Sequence, residues 1–334
     1  MKTNPTKVKK KKALVLANFG GPRNLKEIAP FLKALLCDKE VVRTSMPDFL
    51  HNYIFSRIAK KRAKDVAKDY NGIGGKSPIY EETEKVAESL RAKLDIPVLT
   101  FHRYLPATHS QFISEMSDLK VDETIIFPMF PQFSYSTTGS IAKWFDNKLS
   151  SKIASKLLWL KSYPNHKPFI DLYCNRIDAF LRENQLKEES VILLFSAHGL
   201  PKKFVSKGDP YQRECEQSFK AISEYFPQAK SILCYQSKFG LGEWLKPYTV
   251  DVCLNIQDYS ENKKNVIFIP LAFTSDHIET LHEVERDYMP MVRNKGLNTF
   301  RLSAFNHESE WIETIEKLIT DPSLLNNQML IRHH

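Results

Sequence analysis

The sequence predicts an α/β protein with two similar lobes, each a four-stranded parallel sheet flanked by helices. Eight short apolar runs alternate with longer stretches of helical periodicity. Continuous apolar strands are typical of parallel sheets that helices cover on both faces. The alternation pauses near residues 161–167 and then restarts, which divides the strands into two sets. A length of 334 residues suits two units of average domain size.

The first set of strands is predicted at 13–18, 97–103, 122–127 and 157–160. The first of these strands ends at Gly20-Gly21-Pro22, which is a turn signal. Between the strands, helical periodicity covers 80–94, 108–118 and 139–155.

An insertion of about 75 residues separates the first two strands, far more than a crossover connection needs. Apolar side chains crowd its residues 49–58, and Lys60, Lys61 and Arg62 follow. One interpretation is a helix packed on the core with a polar end. The other is an apolar lip that covers a cleft and contacts a membrane surface.

The second set of strands is predicted at 191–195, 231–235, 250–254 and 266–269, with helices at 168–185, 210–225, 275–287 and 307–320. Sites in such folds gather at the carboxyl ends of strands and often between lobes. The expected domains are a tail (1–12), a first lobe (13–164) that includes a lip (46–79), and a second lobe (165–325).

The net charge of +9 comes largely from the first twelve residues. Six lysines and no acid lie there, so the rest of the chain carries only +3. A nearly neutral body does not indicate a nucleic-acid-binding protein. The basic segment lacks the apolar run of a secretory signal, and we expect a disordered tail, with weak contact with an anionic surface as the alternative.

Five scattered cysteines without a C-x-x-C pair argue against a disulfide framework and against a zinc ribbon. They fit a reducing cytoplasm. No run of about 18 apolar residues predicts a spanning helix. The expected location is therefore cytoplasmic, with a peripheral position at the inner face of the membrane as an extension of the lip hypothesis.

Residues 72–77 (GIGGKS) look like a phosphate-binding loop but do not fit one. That motif needs glycine at position 70, where this chain has Tyr70, and it should follow a strand, whereas 60–70 is helical in pattern. The glycines are expected to make a sharp turn or a close backbone approach instead.

Residues 196–201 (SAHGLP) directly follow the strand 191–195. Ser196 and His198 share one direction because neighbouring strand residues alternate. The Gly-x-Ser-x-Gly elbow of a serine nucleophile is missing. His198 is either a structural histidine or an exposed site residue, and the turn that follows it favours the site.

Residues 273–283 (FTSDHIETLHE) follow the strand 266–269. Thr274 or Ser275 could cap a helix here, and acids in a first turn suit the helix dipole.

On such a helix Asp276, Glu279 and Glu283 would lie on one face, at i, i+3 and i+7. Carboxylates gathered on one face repel unless cations, protons or solvent intervene. Together with His198 they predict a histidine–carboxylate site for a divalent metal or for proton removal. The alternative is an ordinary solvated face.

These motifs together resemble the ferrochelatases, enzymes that insert ferrous iron into a porphyrin. The resemblance spans nearly the whole chain and rests on the order and spacing of the motifs. They are 18–22 (NFGGP), 73–79 (IGGKSPI), 103–104 (RY), 131–140 (PQFSYSTTGS), 196–201 (SAHGLP), 208–211 (GDPY), 236–238 (QSK) with Trp244, and 273–281 (FTSDHIETL).

The resemblance implies a chelatase fold, with two Rossmann-like lobes and a porphyrin cleft between them. It assigns His198 and Glu279 to the metal, with His198 acting as proton acceptor, iron ligand or both. The implied catalytic residues are His198, Glu279, His277, Asp276 and Glu283. The implied porphyrin-binding residues are Phe19, Arg62, Ser77, Arg103, Tyr104, Ser237 and Trp244.

The resemblance also implies Fe²⁺ as a substrate and no tightly bound cofactor. Some relatives hold an iron–sulfur cluster in a cysteine-rich extension, but no cysteine follows Cys253, so no such cluster is expected. Some relatives have a basic residue three positions after Arg62. Asp65 stands there in this chain, which weakens the case for a propionate contact at that position.

The implied reaction is insertion of Fe²⁺ into protoporphyrin IX, which gives protohaem, releases two protons and ends haem biosynthesis. Coproporphyrin III is the alternative substrate. Two rival hypotheses are a chelatase for cobalt or nickel and a non-catalytic haem or metal carrier. The expected partners are porphyrin, ferrous iron and a membrane surface contacted through 46–63, with no nucleic acid.

Overall fold

Two sheets organise the chain, and the computed structural model describes residues 10–238, 240, 242–329 and 331–332. The strand order is β2-β1-β3-β4-β9 in the first sheet and β6-β5-β7-β8 in the second. Every pairing among these strands is parallel except β4 with β9. The predicted α/β class with helix-covered parallel sheets is confirmed.

The nine strands of the described residues are β1 (Lys12–Asn18), β2 (Val98–His102), β3 (Glu123–Pro128), β4 (Leu157–Leu160), β5 (Val191–His198), β6 (Lys230–Gln236), β7 (Asn265–Pro270), β8 (Asn298–Arg301) and β9 (Leu325–Asn326).

The α-helices are α1 (Ile28–Leu36), α2 (Asp48–Gly72), α3 (Ile79–Lys93), α4 (His109–Asp118), α5 (Ser140–Lys148), α6 (Ser151–Ala154), α7 (Lys167–Glu183), α8 (Lys202–Ser206), α9 (Tyr211–Ser223), α10 (Thr249–Leu254), α11 (Ile256–Ser260), α12 (Met289–Arg293) and α13 (Ser309–Thr320). Tyr135–Gly139 and Glu279–Tyr288 are π-helical, and the second segment is called the long π-helix below.

The predicted strand at 250–254 is wrong, because these residues form α10. Val252 and Cys253 are buried while Leu254 is 46% exposed, so burial does not alternate as it does along a strand. The fourth strand of the second sheet is β8, which pairs with β7. β8 is a half-buried edge strand with polar residues, so it lacks the apolar run that marks the other strands.

The first sheet has one strand more than predicted. Leu325 and Asn326 pair antiparallel with Leu160 and Trp159, so the chain returns to the first sheet after completing the second. A two-residue strand carries no periodicity, so nothing in the sequence pattern signals it.

The predicted disordered tail is partly wrong. Residues 1–9 lie outside the described part of the chain. The side chain of Lys10 pairs with Glu123, the backbone N–H of Lys11 donates to Asp122 at 2.9 Å, and Lys12 begins β1.

The long insertion folds as α1 and then α2, which we call the lip helix. His51, Ala59 and Tyr70 of this helix are buried. Phe49 is 77% exposed and Tyr53 61% exposed, so core packing is wrong as an account of these two side chains. Leu50 and Ile58 are exposed large apolar residues of the same helix. Among the described residues, no helix is long and apolar enough to cross a membrane.

The turn after the lip helix accounts for the glycines of 72–77. The lip helix ends at Gly72, so the segment follows a helix and not a strand, as expected. Gly74 and Gly75 have φ of +97° and +79° with open space around them. These are turn conformations that favour glycine.

Candidate active site

The carboxyl ends of β5, β6 and β7 place the predicted second-lobe residues beside one another. His198 is the last residue of β5 and stands level with Gln236, the last residue of β6. Ser196 stands level with Pro270 at the end of β7. The segment from Phe273 onward begins just beyond that point. This is the strand edge at which parallel sheets gather functional side chains.

The imidazole of His198 is oriented by its own backbone turn. Its Nδ1 lies 2.7 Å from the carbonyl oxygen of Gly199. A carbonyl only accepts hydrogen bonds, so Nδ1 carries a proton, and in the neutral ring Nε2 keeps its lone pair. The half-buried ring is therefore set up with Nε2 as a proton acceptor or metal ligand.

Gly199 allows the strand ends to approach this closely. A Cβ at this position would lie 2.6 Å from the Gln236 carbonyl oxygen and 3.2 Å from Cε3 of Trp244. Trp244 is buried and bridges to Pro201, so it packs under the His198 turn. Trp244, which was predicted to bind the porphyrin, therefore supports the turn that carries His198.

Glu279 and Glu283 lie on the long π-helix, where an α-helix was predicted. A π-helix closes i→i+5 hydrogen bonds, which changes the angular spacing of side chains. The predicted cap is also wrong: Thr274 Oγ1 donates to the Met129 carbonyl at 2.9 Å, and Ser275 Oγ is buried without a partner among the described residues. The sequence pattern could not distinguish the two helix types.

Asp276 does not join the other two carboxylates on one face, which corrects that prediction. It lies before the long π-helix, and its Oδ1 accepts from Arg301 at 2.8 Å and from Thr280 at 2.8 Å. Its Oδ2 accepts from the Asn306 side chain at 2.9 Å. Asp276 is therefore buried and held by these partners, in a structural position.

His277 lies between Asp276 and Glu279 with most of its ring covered. Its Nε2 is 3.1 Å from Oε2 of Glu279, and its Nδ1 is buried with no hydrogen-bond partner in the described part of the chain. Burial lowers the pKa of His277, against the attraction of the Glu279 and Asp276 carboxylates. The ring of Phe273 packs on it at 4.4 Å between centroids.

Glu283 is held by residues at the end of β6. Its Oε2 accepts from Ser237 Oγ at 2.5 Å and from Gln236 Nε2 at 3.1 Å. Burial raises the pKa of Glu283, and repulsion from Glu279 raises it further, whereas the Ser237 hydrogen bond and the charge of His198 lower it. Ser237, predicted to meet the porphyrin, is directed to Glu283 and has a φ of +61°.

Gln236 is a site residue that sequence reasoning missed. Its Oε1 accepts from Ser196 Oγ at 2.6 Å, and its Nε2 donates to the Glu279 carbonyl at 2.9 Å as well as to Glu283. Gln236 thereby fixes the long π-helix against the strand that carries His198. Two signals could have found it: its place at the end of β6 and its position in the 236–238 (QSK) motif.

The first-lobe wall differs from the predicted one. Phe19 follows β1, is half-buried and packs edge-on against Tyr104 at 4.5 Å between centroids. Tyr104 is 0% exposed and donates to Asp38 at 2.9 Å. Because it is fully covered, Tyr104 cannot itself form a porphyrin face as predicted; it supports Phe19.

The guanidinium of Arg103 is held in place by hydrogen bonds to other residues of the first lobe. Its Nη2 donates to Asp38 Oδ2 at 2.7 Å and its Nε donates to Ser140 Oγ at 2.8 Å. The resulting ion pair neutralises the guanidinium. Arg103 is half-buried, so part of it can contact a ligand while Asp38 holds its position.

Ser77 is buried, which corrects its predicted contact with the porphyrin. Its N–H donates to the Pro22 carbonyl at 2.8 Å, and a Cβ on Gly21 would come within 2.6 Å of the Ser77 side chain. Gly21 is therefore required for this close approach. Arg62 is half-buried on the lip helix.

The lip helix contacts the long π-helix directly. The guanidinium of Arg286 donates to the Gly72 carbonyl, and His282 Nε2 lies 3.8 Å from Asp69 Oδ1. Ile278 packs against the apolar cluster that holds Phe19 and the buried side of the lip helix. The two lobes are thus joined at the edge of the site.

A histidine with an available Nε2 lone pair beside two carboxylates in different environments can accept and pass on protons. Proton transfer of this kind is efficient when acceptor pKa values lie near the working pH. Within the described residues, no three histidine, cysteine, aspartate or glutamate side chains converge so as to hold a metal ion.

Comparison with known proteins identifies a family. The family model described as Ferrochelatase matches residues 11–322. The ferrochelatase of Chlamydia caviae is 44% identical over 96% of this chain and 99% of its own length. The ferrochelatase of Chlamydia pneumoniae is 40% identical, with 96% of each chain covered.

Solved structures show the fold. The SirB protein of Bacillus subtilis with Fe³⁺ has a TM-score of 0.51 at 11% identity, over 92% of this chain and 94% of that one. The sirohydrochlorin chelatase SirB from Bacillus subtilis subspecies spizizenii, in complex with cobalt, also has a TM-score of 0.51, at 10% identity, over 94% and 97%. The fold is therefore the chelatase fold. The match of the family model over most of the chain, with relatives of 40% identity or more over nearly their whole length, shows that this chain belongs to the ferrochelatase family.

Proposed function

We propose that this chain inserts Fe²⁺ into protoporphyrin IX, forming protohaem and releasing two protons in the last step of haem biosynthesis. Family membership makes it a metal-chelating lyase with a porphyrin and ferrous iron as substrates. The proposal concerns which porphyrin is used and what each residue does. The observation that carries it is the His198 imidazole, whose Nδ1 is engaged so that the Nε2 lone pair is available.

The chemistry follows from the free-base porphyrin, which keeps two N–H protons inside its ring. Both must leave when iron enters. His198 Nε2 accepts a pyrrole proton, and the nearby carboxylates stabilise the imidazolium that forms. Glu283, whose pKa is raised, takes each proton onward, which frees the Nε2 lone pair for the second pyrrole proton and then for Fe²⁺. Strain on the flat ring comes from binding energy elsewhere on the porphyrin.

Fe²⁺ approaches as a substrate between His198 and Glu279. Imidazole and carboxylate ligands suit this task because they hold iron less firmly than a set of thiolates does. The iron can then pass into the ring. His277 keeps Glu279 in place through the 3.1 Å contact with its carboxylate. No resident cofactor has a part in this scheme.

Protoporphyrin IX, with two propionates, fits better than coproporphyrin III, with four. Each extra carboxylate would need a cationic partner, and Arg103 on the first-lobe wall is already paired with Asp38 at 2.7 Å. The exposed apolar residues of the lip helix also suit the less polar substrate. Rates with the two porphyrins test this choice, and a higher kcat/KM for coproporphyrin III would overturn it.

Insertion of zinc into a free-base porphyrin, followed by fluorescence, separates an enzyme from a carrier. An enzyme forms zinc porphyrin with turnover. A carrier of haem or metal would bind the porphyrin and form no product.

The lip helix is proposed to rest on a membrane surface, which would make the protein peripheral at the inner face of the membrane. Phe49, Leu50, Tyr53 and Ile58 expose apolar area, and Lys60 and Lys61 are exposed on the next turn. Apolar side chains beside lysines are typical of helices that bind anionic interfaces. A lipid-soluble porphyrin would then have a short path to the site.

A further inference from the structure

Outside the candidate active site, a cavity of about 500 Å³ lies where the end of the long π-helix, α12 and β8 meet. None of the residues that line this cavity has a role in the proposed ferrochelatase reaction. Its lining includes three arginines, Arg286, Arg293 and Arg301, and one carboxylate, Glu285, which pairs with Arg301; the apolar part of the wall is Phe180, Met289 and Phe300.

In the part of the chain that the structure describes, only one of the three arginines is neutralised by carboxylates. Arg301 lies 2.8 Å from Asp276 Oδ1 and 2.6 Å from Glu285 Oε1. Arg286 donates to the Gly72 carbonyl and Arg293 donates to Thr299 Oγ1 at 2.7 Å, and neither is paired with a carboxylate of the described residues. A guanidinium has five N–H donors, so both have donors to spare.

The apolar wall makes the cavity more than a patch of positive charge. The rings of Phe180 and Phe300 lie edge to face with centroids 6.3 Å apart. Met289 is buried beside them, and its thioether packs adaptably against aromatic surfaces. A ligand that fills this space must present an apolar surface as well as negative charge.

We propose that this cavity binds a planar organic dianion, that is, two anionic groups carried on an apolar body. Two guanidinium groups without carboxylate partners among the described residues call for two negative charges, and planar donors favour carboxylate, phosphate or sulfonate oxygens. The volume lies within the range of small-molecule sites. An inorganic anion alone would leave the aromatic wall unfilled.

The test is calorimetric titration with 1,5-naphthalenedisulfonate, in the full chain without porphyrin or metal. Pyrophosphate serves as the probe with charge but no apolar body. We expect saturable one-to-one binding of the disulfonate and binding of pyrophosphate at least tenfold weaker. Arg293→Gln, a change at an exposed side chain, should weaken the disulfonate roughly tenfold through loss of a charged hydrogen bond.

Arg213→Gln is the matched control, because Arg213 is an exposed arginine on α9 that does not line this cavity. It should bind the disulfonate as the wild type does. Equal binding by Arg293→Gln and wild type would overturn the proposal, as would equal affinity for the two probes or the absence of saturable binding. Because neither substrate is present, these outcomes leave the proposed chelatase reaction untouched.

Discussion

The His198 ring lies at the end of β5, and its Nδ1 is engaged by the Gly199 carbonyl, which fixes the tautomer. Replacing it with alanine removes the Nε2 acceptor, and the backbone turn that holds the ring can remain. We expect zinc insertion to fall roughly 10²–10⁴-fold, the range for loss of a general base. Fluorescence of the zinc porphyrin measures the rate, and circular dichroism checks that the variant is folded.

His307→Ala provides the comparison, since His307 is an exposed histidine whose ring pairs with Glu82 and not with the Gly199 carbonyl. Its rate should stay near that of the wild type. A folded His198→Ala protein with wild-type turnover would remove His198 from the reaction.

The buried carboxyl group of Glu283 makes the stability of the folded protein depend on pH. Burial and the Glu279 charge raise its pKa in the folded state above the unfolded value of about 4.3. A raised acid pKa contributes full stability below the unfolded pKa, and that contribution is lost as pH rises through the folded pKa. Glu283→Gln should therefore gain melting temperature relative to wild type as pH rises from 4 to 8.

Thermal melts of both proteins across this pH range measure the difference. Glu88→Gln, at an exposed acid on α3, should show no such trend. A constant difference between Glu283→Gln and wild type at every pH would contradict the raised pKa.

Sequence reasoning placed His198, Glu279 and Glu283 at this edge but did not place every side chain correctly. His198 could be placed because a strand end fixes direction. Asp276 could not be placed, since its partner Arg301 comes from β8, 25 residues away, and pairing between distant elements leaves no local pattern. Burial of Tyr104 and Ser77 depends on Phe19 and Gly21 in the same way.

At the scale of elements, the sequence predicts best where periodicity is strong. The apolar strands of both sheets lie where expected within a few residues, apart from 250–254. β8 and β9 were not predicted, because β8 is a polar edge strand and β9 is only two residues long. The long π-helix is predicted as an α-helix because both types have similar residue preferences, and the difference lies in hydrogen bonds set by packing.

The lip helix carries a prediction that separates surface binding from core packing. Changing Phe49 and Tyr53 together to serine removes the two most exposed apolar side chains of this helix. We expect weaker binding to anionic liposomes and a higher KM for porphyrin. The stability should change by only about 0.5 kcal/mol per site, as at other exposed positions.

Tyr225→Ser tests the same kind of change elsewhere, because Tyr225 is 56% exposed on the second lobe. Its liposome binding should equal that of the wild type. If the double variant sediments with liposomes as fully as wild type does, the lip does not bind membranes.

At the scale of the whole molecule, the two lobes share one apolar core and meet again at the site. The largest buried cluster includes Leu14 of β1 and Leu193 of β5, with Trp311 of α13 among its members. Thr274 and Met129 bridge the lobes by a hydrogen bond at 2.9 Å. Relative motion of the lobes is therefore constrained at the core, and we expect the lip helix to be the element that loosens first.

Arg286 is the residue whose loss should loosen that element. Its guanidinium donates to the Gly72 carbonyl at the end of the lip helix, and the His282–Asp69 contact beside it is longer, at 3.8 Å. Arg286→Gln removes the charged donor, which we expect to speed amide hydrogen exchange in residues 48–72 about fivefold. Exchange in β1 and β5 should not change, because these strands are buried in the sheets.

Arg293→Gln is the control, because Arg293 lies on the adjacent α12 and its hydrogen bond goes to Thr299. In this variant the lip helix should exchange as in the wild type. Equal exchange of the lip helix in Arg286→Gln and wild type would show that Arg286 does not hold the lip and that its apolar packing against α1 and Ile278 is sufficient.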